Sequence, residues 1–266
     1  MTRNVFYETI VNMLTTFGKK KMFHYRQKES NEVVSKTANA SFEIKLDDTI
    51  LPPTSGNVIG VALNNKALAK SLEKAFNEKP HVQPPKTPVL HIKTDNTHIG
   101  YGKSIKLPSD KGAVFAGPSL GIVIGKKTTR VDASNALDCV AGFTVVNEVS
   151  LAETSFYRPA VKAKCRDTFC PIGPWSVDKS AVSTPNKLSI KTFINDALVH
   201  ETNTDQLIYS VEEIVSYISS FMTLEAGDII IAGTPERTAD LAINPGDSVM
   251  IDIEGVGRLV NPVEQE

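Results

Sequence analysis

The chain has 266 residues, 41% of them hydrophobic and 22% charged, with 29 basic against 30 acidic side chains for a formal net charge of −1. That is enough chain for one large domain or two small ones with a proper core. The near-neutral balance lacks the basic field that nucleic acid would require, and no apolar run is long enough to span a bilayer, so neither partner is expected.

Met1 to Ser30 opens with apolar residues at near-helical spacing, then Gly18 and Lys19 to Lys21, the pattern of a short peripheral or partner-docking helix and its stop. Asn31 to Ala40 is polar and reads as a linker, so residues 1–40 are expected to form a helical extension and residues 41–266 the main domain. From Ser41 the texture becomes β: SFEIKL alternates, Pro52 and Pro53 turn the chain, and NVIGVALN reads as a short buried strand. Leu63, Leu68, Leu72 and Phe76 give Asn64 to Asn77 a helical period, and Pro80, Pro84, Pro85 and Pro88 end it in a loop. VLHIK and IGYGKSIKLP follow as strand, turn and strand. VFAGPSLGIVIGKKTTRV is β with Gly117-Pro118 inside it, which points to an edge or a bulge. SNALDCVAGFTVVNEVSL reads as a short helix running into a strand. Asn195-Asp196 turns a hairpin, VEEIVSYISSFMTL is the clearest amphipathic helix, and the chain closes with strands launched by Gly-Asp turns. The sum is an α+β domain, predominantly β, with two or three peripheral helices.

Phe156 to Trp175, FYRPAVKAKCRDTFCPIGPW, concentrates charge, thiols and proline. Arg158, Lys162, Lys164 and Arg166 alternate with small or apolar residues, which at a strand period of two puts the cations on one face of a loop-strand-loop. Such a row suits a dicarboxylate or an oxo-acid; it also suits a solvated edge strand protected by lysine. Cys139, Cys165 and Cys170 are odd in number and lack CxxC spacing, which argues against disulfides or structural zinc and for inert thiols in a reducing cytoplasm. His81, His98 and His200 fall in apparent loops and His91 in an alternating strand; without pairwise spacing none is assigned to metal or proton transfer.

The residues ILPPTSGNVIGVALN, KAKCRD, FMTL-x-x-GD, AGTP and EGVGRL, in that order between about Leu51 and Val263, resemble the fumarylacetoacetate hydrolase family. Within it, GVALN, QPPKT, FYRPAVKAKCRDTFCPIG and GTPE are similar to the N-terminal half of the fused decarboxylase/isomerases of homoprotocatechuate (4-hydroxyphenylacetate) breakdown. The resemblance implies a β-roll or sandwich, a small dicarboxylic oxo-acid or dienoate as substrate, and a homodimer or a hetero-oligomer with a homologous subunit. It also implies Mg²⁺ or Mn²⁺ held by a Glu-x-Glu pair and a later acidic residue, the metal chelating the 2-oxo acid and stabilising its enolate.

Carried over residue by residue, the Glu-x-Glu positions fall on Gly117 and Ser119 and the third on Glu148, which leaves metal binding by this chain in question. The family's His-x-x-Glu dyad falls on Leu68 and Ser71. Lys164 is retained as the catalytic lysine, and Asn64, Lys93, Arg166, Asp167, Gly233, Thr234 and Pro235 as substrate-binding positions. Glu148 could instead pair with Lys164 or Arg166, which would remove the cost of an unpaired buried charge. Two functions follow as expectations. One is a subunit of a 2-hydroxyhepta-2,4-diene-1,7-dioate isomerase or 5-carboxymethyl-2-oxo-hex-3-ene-1,7-dioate decarboxylase with a degraded metal site. The other is a non-catalytic partner of an active homologue, or a dicarboxylate-binding module.

Overall fold

A computed structural model of the chain describes residues 21–27, 33–38, 50–54, 56–79, 82–109, 112–152 and 159–266. The fold is α+β and strand-dominated, with a large sheet that curls into a half-barrel. The order across that sheet is Val33–Ala38, Lys21–Gln27, Cys170–Asp178, Val140–Asn147, Pro118–Ile124, Ile229–Ile231, Val58–Ala62 and Val89–Lys93, with two short strands attached beside it. Ile229–Ile231 pairs parallel to Val58–Ala62 and antiparallel to Pro118–Ile124. A five-stranded sheet runs Ala197–Asn203, Ser189–Ile194, Ser248–Ile253, Gly257–Gln265, Ile105–Leu107, and a three-stranded one joins Ser150–Leu151, Val114–Phe115 and Ala242–Ile243.

Alternation along the strands sorts the core. Ile59, Ile122, Val145, Ile230 and Trp175 join the main cluster with Ile190, Ile251 and Leu259 of the five-stranded sheet, while Val58, Val123, Val146, Ile229 and Ile231 pack on the other face. Both faces of the large sheet are therefore covered, which is why DIIIAG reads as a continuous apolar run rather than an alternating one. Trp175 donates its indole N–H to Val256 O at 3.1 Å, tying the large sheet to the turn of the smaller one.

The amphipathic helix is Val211–Ser219, started by a reciprocal capping box between Ser210 and Glu213 and burying Val211, Ile214, Val215 and Ile218. Two shorter helices, Lys66–Ser71 and Glu73–Asn77, replace the single one expected from Asn64 to Asn77; Asn65 caps the first by accepting from Leu68 N–H at 3.1 Å. The two Gly-Asp turns share one design. Gly227 and Gly246 have φ of 92° and 94°, and Asp228 and Asp247 each accept a backbone N–H from three residues back, at 2.9 and 2.7 Å. Asn195 and Asp196 turn their hairpin with φ of 52° and 66°, the backbone of a two-residue I′ turn.

Several expectations are corrected. Val33–Ala38, inside the segment read as a linker, is a strand paired with Lys21–Gln27, which itself pairs with Cys170–Asp178. The expected helix before Gly18 and the strand at SFEIKL lie outside the described residues. Pro118 does not mark an edge: its strand is central and buried throughout, and proline is tolerated because it occupies the first position. Within the Phe156–Trp175 stretch, Arg158 lies outside the described residues, and residues 159–175 are not a cation-faced strand. Val161–Lys164 is a helical turn, and the strand begins only at Cys170 and continues through Pro171 and Pro174. Lys162 and Lys164 both fall in that single turn, which ends before Arg166, so the strand period of two does not apply to them. Lys162 is exposed and Lys164 buried, so the row of cations on one face does not form. His98 and His200 lie in the strands His98–Ile99 and Ala197–Asn203, not in loops. Among the described residues, no helix is long and apolar enough to cross a membrane.

Candidate active site

The site is built around Glu148, which leaves the end of strand Val140–Asn147 and is 1% exposed. Its backbone N–H donates to Gly117 O at 2.7 Å, which fixes it against the start of the neighbouring strand. Strand Val89–Lys93 supplies two facing groups. His91 and Lys93 are two residues apart and so share a face, placing His91 Nε2 3.7 Å and Lys93 Nζ 2.8 Å from Glu148 Oε1. The helical turn Val161–Lys164 delivers the third, with Lys164 Nζ donating to Glu148 Oε2 at 2.9 Å.

Lys93 is the inner anchor. Its ammonium donates to Val149 O, Lys164 O and Phe169 O at 2.7, 2.7 and 2.9 Å. Those carbonyls use all the protons an ammonium has, so its approach to Glu148 is a charge contact without a directed hydrogen bond. Lys93 thus ties together the three segments that carry Glu148 and Lys164, and it does not line the cavity. Burial alone would push the Glu148 carboxyl up, but Lys164, then Lys93, His91 and Arg237 outweigh it and hold the group below the usual carboxylate range. Glu148 is thereby held as an anion, 2.9 Å from Lys164 Nζ.

Lys164 faces a cavity of about 660 Å³. Leu72, Phe76 and Phe115 furnish apolar wall, and His91, Lys164, Glu236 and Arg237 furnish ionisable groups. Leu68 and Ser71, where the dyad was sought, also line it, as do Thr234 and Pro235. A hydrophobic chamber with a few convergent charges has the make-up of a small-molecule site.

The other retained positions divide. Asn64 is 1% exposed and saturated: its amide donates to Ala232 O at 2.7 Å and Tyr209 O at 3.2 Å, and its oxygen accepts from Ile208 and Tyr209 N–H at 3.1 and 2.8 Å. It is a staple that sets the Gly233-Thr234-Pro235 loop rather than a ligand contact. Gly233 is required by close approach, since a Cβ there would lie 2.8 Å from Asn64 O. Asp167 is exposed and accepts from Asn96 Nδ2 at 2.6 Å, and neither it nor Arg166 lines the cavity. Of the two partners considered for Glu148, Lys164 is the one in place.

The residues do not fit a divalent ion. A Cβ on Gly117 would sit 2.2 Å from Glu148 O, so the backbone has closed over the space a carboxylate there would need. Ser119 Oγ donates to Gly233 O at 2.8 Å and accepts from Gly233 N–H at 3.2 Å, which commits the hydroxyl to the loop. Glu148 is already held by two ammonium groups. Among the described residues, no group of three or more His, Cys, Asp or Glu side chains converges as a metal cage.

His91 was missed by sequence reasoning. The available signal was its two-residue offset from Lys93, which at strand period aims both at one target. Its ring lies over Gly60, its register partner on the next strand, where a Cβ would come within 2.2 Å of the imidazole. Among the thiols, Cys139 and Cys170 are buried, and burial pushes Cys170 up to about 12, consistent with inert packing.

A sequence profile described as fumarylacetoacetate (FAA) hydrolase C-terminal matches residues 57–264. The 4-hydroxyphenylacetate degradation bifunctional isomerase/decarboxylase of Escherichia coli is 41% identical over 211 residues, covering 79% of this chain and 48% of that protein. The chain thus spans about half the length of this relative and of two similar bifunctional isomerase/decarboxylases. Among solved structures, 2-hydroxyhepta-2,4-diene-1,7-dioate isomerase from Mycobacterium marinum superposes with a TM-score of 0.73 at 28% identity, covering 93% of this chain and 99% of that one. Maleylpyruvate hydrolase from Sphingobium sp. SYK-6, in complex with manganese(II) and pyruvate, superposes at 0.67 with 26% identity, covering 87% and 77%. With most of its length inside the matched profile and its fold shared across that length, the chain belongs to the fumarylacetoacetate hydrolase family.

Proposed function

We propose that this chain acts on a 2-oxo or 2-hydroxy-dienoate dicarboxylate, as a 2-hydroxyhepta-2,4-diene-1,7-dioate isomerase or a 5-carboxymethyl-2-oxo-hex-3-ene-1,7-dioate decarboxylase of 4-hydroxyphenylacetate breakdown. The observation that carries this reading is Lys164, which donates to buried Glu148 at 2.9 Å on the wall of a cavity of about 660 Å³. Its support from relatedness is the 41% identity to one half of a bifunctional isomerase/decarboxylase.

Both reactions develop charge at the same atom. Decarboxylation breaks a C–CO₂ bond and leaves the electron pair as an enolate; isomerisation of the 2-hydroxy-dienoate breaks the enol O–H bond and leaves a dienolate, which takes a proton at carbon to give the 2-oxo-ene. In either case the 2-oxygen becomes anionic, and a fixed ammonium beside it stabilises the transition state without reorganising. Arg237, close enough to act on Glu148, provides a second cation on the same wall, and Leu72, Phe76 and Phe115 offer apolar surface to the carbon chain. The related maleylpyruvate hydrolase is in complex with manganese(II) in its structure; the donors of this chain do not suit such an ion. We place the chain in the cytoplasm and in a homodimer or a hetero-oligomer with a homologous subunit, to be checked by light scattering. A kept cavity with a poised cation favours catalysis over a purely regulatory role.

The test is turnover of 2-hydroxyhepta-2,4-diene-1,7-dioate, followed by loss of dienol absorbance, with and without a homologous subunit. Lys164→Met is expected to lower kcat/KM by about 10²–10³-fold, the cost of removing one charge-stabilising donor. Equal turnover by wild type and variant would remove Lys164 from the mechanism. Absence of turnover both alone and with the homologue would sink the reading.

A further inference from the structure

We infer that the Lys164 ammonium, held by Glu148 and backed by Lys93, takes over the charge-stabilising role of a divalent ion, so that this chain binds and converts 2-oxo dicarboxylates without metal. The inference rests on the substrate class proposed above and adds the nature of the electrophile.

A site that had merely lost ligands would leave an empty anionic corner. The structure has a filled cationic one. Gly117 and Glu148 are drawn together by the Glu148 N–H to Gly117 O bond at 2.7 Å and by Gly117 N–H donating to Asn147 Oδ1 at 2.8 Å. The Ser119 hydroxyl is absorbed by both backbone groups of Gly233. Lys93 cannot swing away to admit an ion, because its three carbonyl bonds fix it. Any metal reaching Glu148 would have to displace two ammonium groups at 2.8 and 2.9 Å.

The charge count points the same way. With the lysines at positions 93 and 164 counted in both cases, three carboxylates around a divalent ion, the arrangement implied by the resemblance, carry one net positive charge, and so does one carboxylate with Lys93 and Lys164. Losing the ion together with two carboxylates leaves the site's charge unchanged, still one that the anionic head of a 2-oxo acid would neutralise. Because Lys93 is spent on carbonyls and buried, Lys164 is the member of the pair that reaches the cavity, where Glu236 and Arg237 also stand. Chelation by a metal is then replaced by an ammonium contact to the 2-oxygen, and the enolate electron pair rests against that ammonium until a proton returns to carbon.

The experiment is calorimetric titration of the full chain with 2-oxoadipate in excess EDTA, then in Mg²⁺ or Mn²⁺, alongside titration with each metal alone. Binding in EDTA with a Kd within about twofold of that in metal is expected, with no stoichiometric metal binding. Lys164→Met should weaken 2-oxoadipate at least 10-fold in both buffers, and Lys164→Arg should recover part of the loss, which a merely structural lysine would not show. Binding that appears only with metal would overturn the ammonium substitution and leave the substrate class standing. No binding in either buffer would overturn the substrate class, and this inference with it.

Discussion

Lys93→Met isolates the inner half of the cluster. The substitution keeps an unbranched apolar stem and removes the ammonium, so Val149 O, Lys164 O and Phe169 O lose a charged donor and Glu148 loses its nearest cation. Breaking one partner out of a buried ion pair costs about 3–5 kcal/mol. Each hydrogen bond to a charged group contributes ~1.5–3 kcal/mol. These are two descriptions of overlapping losses and do not add in full, so a total of roughly 4–6 kcal/mol is expected, against about 5–15 kcal/mol for a whole domain. At about 2–4 °C per kcal/mol for a chain of this size, Tm should fall by roughly 10–20 °C.

The pH dependence gives a second readout of the same substitution. Burial favours the neutral form of Glu148, and Lys164, Lys93, His91 and Arg237 reverse that, so the folded-state pKa lies below the unfolded one. Its pairing stabilises the fold at every pH above the unfolded value of about 4.3 and is lost only as pH falls through the lower folded value. Removing Lys93 raises the folded value, so the acid-unfolding midpoint of the variant should move to higher pH. Urea and thermal unfolding by circular dichroism across pH 2–8 measure both effects. A variant within about 1 kcal/mol of wild type, with an unshifted acid limb, would show that Lys93 is not the anchor described.

Three further outcomes follow from the geometry. Gly60→Ala puts a methyl where the His91 ring now lies, and overpacking of about 1–3 kcal/mol should lower Tm by several degrees and weaken 2-oxoadipate binding with little change in far-ultraviolet circular dichroism. Iodoacetamide at pH 8 should label native Cys165, which is partly exposed, well before Cys139 and Cys170, with the three becoming equivalent in urea by mass spectrometry of the peptides. Gly117→Glu with Ser119→Glu restores the residue types of an acidic pair, yet calorimetry should show no Mg²⁺ binding and thermal unfolding a lower Tm, because the first clashes with Glu148 O and the second breaks the Gly233 contacts.

What could be read from the chain depended on whether a residue's role is local. The hairpin at Asn195-Asp196, the helix after Ser210 and the two Gly-Asp turns announce themselves because short-range backbone needs select those residue types. Glu148 was legible too: a lone carboxylate among valines demanded a cation, and Lys164 was among the candidates. Lys93 and Asn64 were singled out, but as substrate contacts. Nothing local distinguishes a lysine that touches ligand from one that closes three carbonyls 56, 71 and 76 residues away. The cationic stretch misled for a related reason, since charges two apart satisfy a strand period, and only packing around Lys164 sets them in a helical turn instead.

The same bonds that hold the fold also explain why the metal residues would be hard to regain one at a time. Asn64 clamps Tyr209 and Ala232, and through Ala232 the loop that presents Thr234 and Pro235 to the cavity. Ser119 clamps Gly233 from the other side. A glutamate at position 119 would free that loop as it added its charge, so the gain in metal affinity would arrive with a loss in cavity shape. A glutamate at position 117 would separate the Gly117 and Glu148 backbones, and with them the carboxylate that fixes Lys164. Either single step discards the ammonium arrangement before a cage exists to replace it. On this argument the ammonium and metal forms of the site are separate packing solutions, and the positions that separate them are Gly117 and Ser119.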